Sequence, residues 1–272
     1  MKPAQRSKPP APENTEVLYG LRSGLSVFER RKKDIRRIGF DGGVRSELGE
    51  LLRWATSAGI PCREENDKEL AYRADSNQHE GLVLDVVPRP WLPPKELATW
   101  LGTNPGLVVA LDRVRNPQNI GAILRSAAFF GASAVLLGAP APHPGLPPFA
   151  LRVAEGGAEH LTFSRTTDLA DTLGRLKAAG VHIIGADTHS RVDSRIIAPH
   201  ASSVLVLGNE REGLSPRIRS QCNALIGVQG SGAMESLNVA VAAGVLLSDL
   251  FRQRSEGSAS LGSPPQTGQH RR

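Results

Sequence analysis

From Gly106 onward, short apolar runs alternate with segments of helical period. LVVALDRV (107–114), AVLLG (134–138), HIIGAD (182–187), SVLVLG (203–208) and ALIGV (224–228) are runs of strand length. Strand and helix in alternation predict an α/β fold built on a mostly parallel sheet. Helices are expected over 117–130, 168–179 and 236–252. The first is well punctuated, with Asn116 suited to the N-cap, Pro117 to the first turn and Gly131 to the position just past the end. Its apolar stripe is Ile120, Ile123, Leu124, Ala127 and Ala128.

Upstream, residues 14–87 read as a smaller α/β unit. A helix from about 18 to 31 leads to a strand, IRRIGF (35–40). Another helix near 46–58 precedes a strand starting at Ile60, a short helix around 67–73 and the strand GLVLDVV (81–87). PRPWLPPK (88–95) has four prolines in eight residues and reads as a linker, with ELATWLG a candidate helix behind it. The expected organisation is therefore a disordered basic N-terminus (1–13), a front domain (14–87), a linker (88–105), a main domain (106–254) and a disordered polar tail (255–272). No repeat of 20–50 residues is visible.

Length and composition add bounds. The 272 residues suffice for one large domain or two ordinary ones. No apolar run approaches the roughly 18 residues that span a bilayer, and the N-terminus has no apolar signal-peptide core. Cys62 and Cys222 stand far apart without a CxxC spacing, which argues against a disulfide framework and for a reducing cytoplasm. The seven histidines show no ligand spacing, so no metal is expected.

Charge is uneven. Residues 1–40 hold ten Lys/Arg against four Asp/Glu, while the remainder balances at 23 against 23. The excess centres on ERRKKDIRR (29–37). Such a block attracts a polyanion, RNA being the natural candidate, and equally describes a solvated helix face. The candidate RNA contacts are Arg30, Arg31, Lys32, Lys33, Arg36 and Arg37.

Three stretches of the main domain carry candidate chemistry. In NPQNIGAILRSA (116–127), Arg125 lies off the apolar stripe, one turn after Gly121. Helical side chains lean toward the N-terminus, so it can lie over the bare Gly121 backbone and reach toward Asn119 at the carboxyl end of the sheet. A surface arginine paired with a carboxylate is the plainer reading. In LVLGNEREGLS (205–215), a buried strand runs into a loop where Gly208 and Gly213 remove Cβ atoms and Glu210 can orient an arginine or accept a ligand hydroxyl. An ordinary strand-to-helix turn reads the same way. In LIGVQGSGAMESLNVAVAAGVLL (225–247), the polar pair Ser236 and Asn238 heads an apolar helix. Ser236 suits an N-cap, and Asn238 must find partners. The GSGAM run resembles a dinucleotide turn only superficially, since no βαβ unit follows it, and an oxidoreductase has little support.

Taken together, these stretches resemble the three motifs of the SpoU (TrmH-like) ribose 2′-O-methyltransferases of the SPOUT superfamily, in the family's order and across residues 106–252. RVAEGGAEHL (152–161) resembles the segment between the first two motifs. Tyr19-Gly20 and HEGLVL (79–84) resemble landmarks of an L30e-like RNA-binding domain fused in front. The resemblance implies a C-terminal trefoil knot, a homodimer with the active site near its interface, S-adenosylmethionine as cofactor, and methylation of a ribose 2′-hydroxyl in rRNA or tRNA. It implies that Arg125 is essential, with Asn119 and Glu210 holding it, and that Ser236 and Asn238 orient the substrate. It places the cofactor on Leu207, Gly208, Asn209, Gly213, Val228 and Leu237. Two departures stand out: Val228-Gln229-Gly230 replaces the usual Ile-Pro-Met, and Ala240 replaces a serine. A non-catalytic RNA-binding or ribosome-assembly protein on the same fold is the alternative they leave open.

Overall fold

A computed structural model describes residues 12–138, 145–196 and 200–260 of the chain. The first unit comprises β1 (Glu16–Tyr19), α1 (Leu21–Arg31), β2 (Ile35–Phe40), α2 (Gly49–Ser57), β3 (Cys62–Glu64), α3 (Asp67–Ala74) and β4 (Leu82–Val86). Its sheet has the order β1-β4-β2-β3, with β4 antiparallel to both neighbours and β2 parallel to β3. The helix expected from residue 18 begins at Leu21. Leu18 and Tyr19 belong to β1, where they pair with Leu84 and Val83 and are buried. Backbone hydrogen bonding to a neighbouring strand overrides the local helical period.

The segment expected as a linker is docked. Leu92 N–H donates to Phe163 O at 2.8 Å, and the Trp91 ring lies edge-on to Phe163. Helix α4 (Leu97–Thr103) buries Leu97 and Leu101. The prolines hold the backbone extended, and its apolar residues find a surface to cover.

The second unit comprises β5 (Leu107–Asp112), α5 (Pro117–Phe129), β6 (Ala134–Gly138), α6 (Pro148–Val153), β7 (Thr162–Thr166), α7 (Leu169–Ala178), β8 (His182–Ala186), β9 (Ser203–Leu207), α8 (Pro216–Gln221), β10 (Ala224–Ile226) and α9 (Val239–Ser260). Six strands form one sheet, β10-β8-β9-β5-β6-β7, and every neighbouring pair is parallel. Side chains of β5 divide between two cores. Leu107, Val109 and Leu111 pack with α5, α6 and α9, while Val108 and Ala110 pack with α4, α7 and α8. The expected parallel sheet covered on both faces is present. The stripe of α5 is also as expected: Ile120, Ile123, Leu124 and Ala127 are buried, and Asn116 caps the helix by accepting from Gln118 N–H at 2.9 Å.

Helices α6 and α8 and the following features lie outside the expectations. Strand β7, TFSRT, is an edge strand with too little apolar content to stand out. Helix α9 starts at Val239 and continues to Ser260, past the expected start of the polar tail. The loop after β8 straps the C-terminal segment: Gly227 N–H donates to Val192 O, Ser190 Oγ to Leu225 O, Ser194 Oγ to Asp249 of α9, and Gln253 Nε2 to Ser194 O. Of the expected disordered ends, residues 1–11 and 261–272 lie outside the described residues.

Candidate functional site

The chain winds outward from central β5 to β6 and β7 on one side, and β9, β8 and β10 lie on the other. Winding reverses between β5 and β9, and an open α/β sheet leaves a crevice outside the carboxyl ends of its strands at such a point. The loops after these two strands border the crevice. Asn209 Nδ2 donates to Arg113 O at 3.1 Å and ties them together. Asn209 Oδ1 accepts from Arg211 and Glu212 N–H, and Gly213 N–H returns to Asn209 O at 2.9 Å. This tight return needs a glycine at 208, where a Cβ would stand 2.4 Å from the Gly213 carbonyl carbon. Arg113 pairs with Asp112 and Glu212; chiefly the hydrogen bond to Asp112 raises its guanidinium above the ordinary arginine value.

The three candidate stretches meet in a hydrogen-bonded chain. Asn119, buried in the first turn of α5, donates from Nδ2 to Glu210 Oε1 at 2.7 Å. Asn238 Nδ2 donates to Asn119 Oδ1 at 3.1 Å. Asn238 Oδ1 accepts from Ala240 N–H at 2.8 Å, so Asn238 rather than Ser236 caps α9. Ser236 lies exposed upstream of that cap. Because Asn238 sits beside Asn119, residues 228–238 bridge the strand ends from β10 to the head of α5. Leu207 is buried at the end of β9, Val228 is half-buried after β10, and Leu237 is 48% exposed on the bridging segment.

Arg125 does not lie over Gly121 and meets the plainer expectation of a surface arginine paired with a carboxylate. Helix α6 covers Gly121 so closely that a Cβ there would stand 2.5 Å from Ala150 O, so Arg125 has no bare backbone to lie over. Glu210 is taken by Asn119. The guanidinium instead pairs with Glu155, Nη1 to Oε1 at 2.8 Å, and its side chain is 55% exposed. Sequence reasoning does not single out Glu155; the AEGG run (154–157) is the one signal that points to it.

The basic block divides. Arg31 is engaged by Glu159 at 2.7 Å and by Val87 O at 2.7 Å, and Arg37 pairs with the buried Asp85, so these two are committed within the fold. Arg30, Lys32, Lys33 and Arg36 are exposed. Arg30 also meets His160 Nδ1 at 2.8 Å, and Arg36 donates to Lys33 O. Among the described residues, no group of three or more metal-ligating side chains occurs.

Residues 106–248 match the model of the SpoU rRNA Methylase family. The chain is 33% identical over 246 residues to a 23S rRNA (guanosine-2′-O-)-methyltransferase of Acinetobacter baylyi, covering 88% of this chain and 98% of that one. It is 35% identical over 215 residues to an uncharacterised tRNA/rRNA methyltransferase of Mycobacterium ulcerans, covering 78% and 69%. The fold resembles a crystal structure of an rRNA methyltransferase from Sinorhizobium meliloti with AdoMet bound, at a TM-score of 0.72 and 24% identity over 88% of this chain and 87% of that one.

Proposed function

Because the chain belongs to the SpoU rRNA methylase family, we propose that it transfers the methyl group of S-adenosylmethionine to a ribose 2′-hydroxyl of ribosomal or transfer RNA. The observation that carries this reading is the chain Asn238–Asn119–Glu210, which joins all three motifs at the switch point of the sheet. The cofactor supplies an electrophilic methyl carbon when bound. A glycine-lined turn that tolerates no Cβ at 208 suits a nucleoside held through main chain, and Leu207, Gly208, Asn209, Gly213, Val228 and Leu237 would hold it.

A ribose hydroxyl is a poor nucleophile and must release its proton, which passes to solvent water, as it attacks. A fixed guanidinium beside that oxygen stabilises the developing alkoxide, as an oxyanion donor does. Arg125 takes that role. Asn119 and Glu210 hold the head of α5 against the β9 loop, and Ser236 and Asn238 face the incoming nucleotide from the bridging segment. The front unit binds RNA by its phosphates through Arg30, Lys32, Lys33 and Arg36.

Val241 and Val245 of α9 and Phe129 of α5 are exposed, and Arg125 is exposed on the same helix as Phe129. These apolar residues suit burial against a second copy, with the active site at the interface. The strap of residues 190–194 over Gly227 and α9 supports a knotted C-terminus. No described helix is long and apolar enough to cross a membrane, and a reducing cytoplasm remains the proposed setting.

The test compares 2′-O-methyl maps of total RNA from cells with and without the gene, alongside calorimetry with S-adenosylmethionine. One site lost with the gene is the expected result. The altered third motif, where Gln229 Nε2 bonds Ser190 O at 3.2 Å, favours a second reading as a non-catalytic RNA-binding protein. Absence of cofactor binding at millimolar concentration would decide for it.

A further inference from the structure

Glu155 touches both units of the molecule. Its Oε1 stands 2.8 Å from Arg125 Nη1, and its Oε2 stands 3.2 Å from Nη1 of Arg22 in α1. The segment around it is wedged between the two helices. Ser26 Oγ of α1 donates to Gly156 O at 3.2 Å, and Ser23 Oγ donates to Leu151 O at 2.9 Å. On the other side, a Cβ at Gly157 would stand 3.1 Å from the Arg125 Cα. Glu155 itself holds a left-handed backbone, φ +46°, which a non-glycine residue keeps only when its surroundings impose it.

We propose that Glu155 is a positioning residue for Arg125 and transmits to it the seating of the front, RNA-binding unit. This rests on the methyltransferase reading. Both arginines are more than half exposed, so the ion pairs contribute little to stability. Their effect is orientational. A free arginine side chain samples many rotamers, whereas the Glu155 carboxylate biases this one toward those that bring Nη1 to it. The closest approach is at Nη1, and a guanidinium carries five N–H donors, which leaves donors for a substrate oxygen. A guanidinium held in place beforehand needs no reorganisation as charge develops. A shift of α1 on its RNA reaches the same carboxylate through Arg22.

The test uses the full chain, a methylatable RNA transcript and radiolabelled S-adenosylmethionine, with affinities for both measured separately. Inactivity of the wild-type chain overturns the enzymatic reading itself. With an active wild type, Glu155→Gln is expected to lower kcat about fivefold, the limit that an exposed ion pair sets, while both affinities stay within about twofold, and Glu155→Asp to recover part of the loss. Arg22→Ala is expected to lower kcat several-fold without weakening RNA binding, and to add nothing in a Glu155→Gln background. Wild-type or increased kcat in Glu155→Gln overturns the positioning role, as does a loss that follows the melting temperature and is shared by Glu155→Asp. Unchanged kcat in Arg22→Ala overturns the transmission from the front unit.

Discussion

Asn119 and Glu210, 91 positions apart in the chain, meet at 2.7 Å across the point where the winding of the sheet reverses. A carboxylate can only accept, so Glu210 fixes the Asn119 amide with its nitrogen toward Glu210 and its oxygen toward Asn238. One charge thus orders the whole chain of amides. Asn119→Ala removes both hydrogen bonds of a buried amide, one of them to a carboxylate, and is expected to cost about 1–3 kcal/mol. Asn119→Asp sets a second carboxylate against the first and is expected to be the less stable of the two variants. Urea denaturation at pH 7 gives the order, and an Asp variant as stable as wild type would remove the proposed polarity.

Arg125→Ala is expected to abolish turnover, by at least the hundred- to thousandfold seen when one oxyanion donor is lost, while S-adenosylmethionine still binds. Single-turnover methylation and calorimetry on the same preparation separate the two effects. Full activity in this variant refutes the role assigned to the guanidinium.

The basic block should behave as two sets. Replacing Lys32, Lys33 or Arg36 by Ala should weaken RNA binding and flatten its dependence on log salt by about 0.7 for each phosphate left unneutralised on single-stranded RNA, with no change in melting temperature. Arg31→Ala strips a cation from the nearly buried Glu159 and should lower the melting temperature instead. The same response from both sets would mean that the internal pairing of Arg31 is unimportant.

Stability should also carry a signature of Glu16. Burial pushes its carboxyl above the ordinary carboxylate range, only partly offset by Arg89 and Arg31, and its Oε1 is buried without a hydrogen-bond partner among the described residues. A raised folded value means folding favours the neutral form. That contribution is present below the ordinary value of 4.5 and is lost as pH rises through the folded value. Glu16→Gln should therefore raise the melting temperature at pH 7 by about 2 °C, with the gain fading toward pH 4. An equal gain at both pH values would rule out desolvation as its cause.

What the sequence disclosed follows the range of the interaction concerned. Helix α5 was legible because its cap, its first-turn proline and its stripe are local signals, all met in the structure. Strands β1 and β7 were not. The short run EVLY runs directly into a helical period, TFSRT is mostly polar, and both lie at sheet edges where one neighbour suffices. The meeting of Asn119, Glu210 and Asn238 depends on strand order, which no periodicity encodes; the order of the motifs stood in for it through family resemblance. The partner of Arg125 was hidden for the same reason. Only the covering of Gly121 by α6 removes the expected path and leaves Glu155 within reach.

The buried ionic knot between the units has a consequence for target choice. Glu159 is shared by Arg31 at the end of α1 and Arg89 behind β4, and Arg89 also donates to Ala158 O. A front unit clamped in this way is docked rather than tethered, so its basic end keeps to a narrow range of distances from the switch point of the sheet. On the proposed methyltransferase reading the molecule would act as a caliper, choosing a ribose by its distance from the RNA feature held at the basic end.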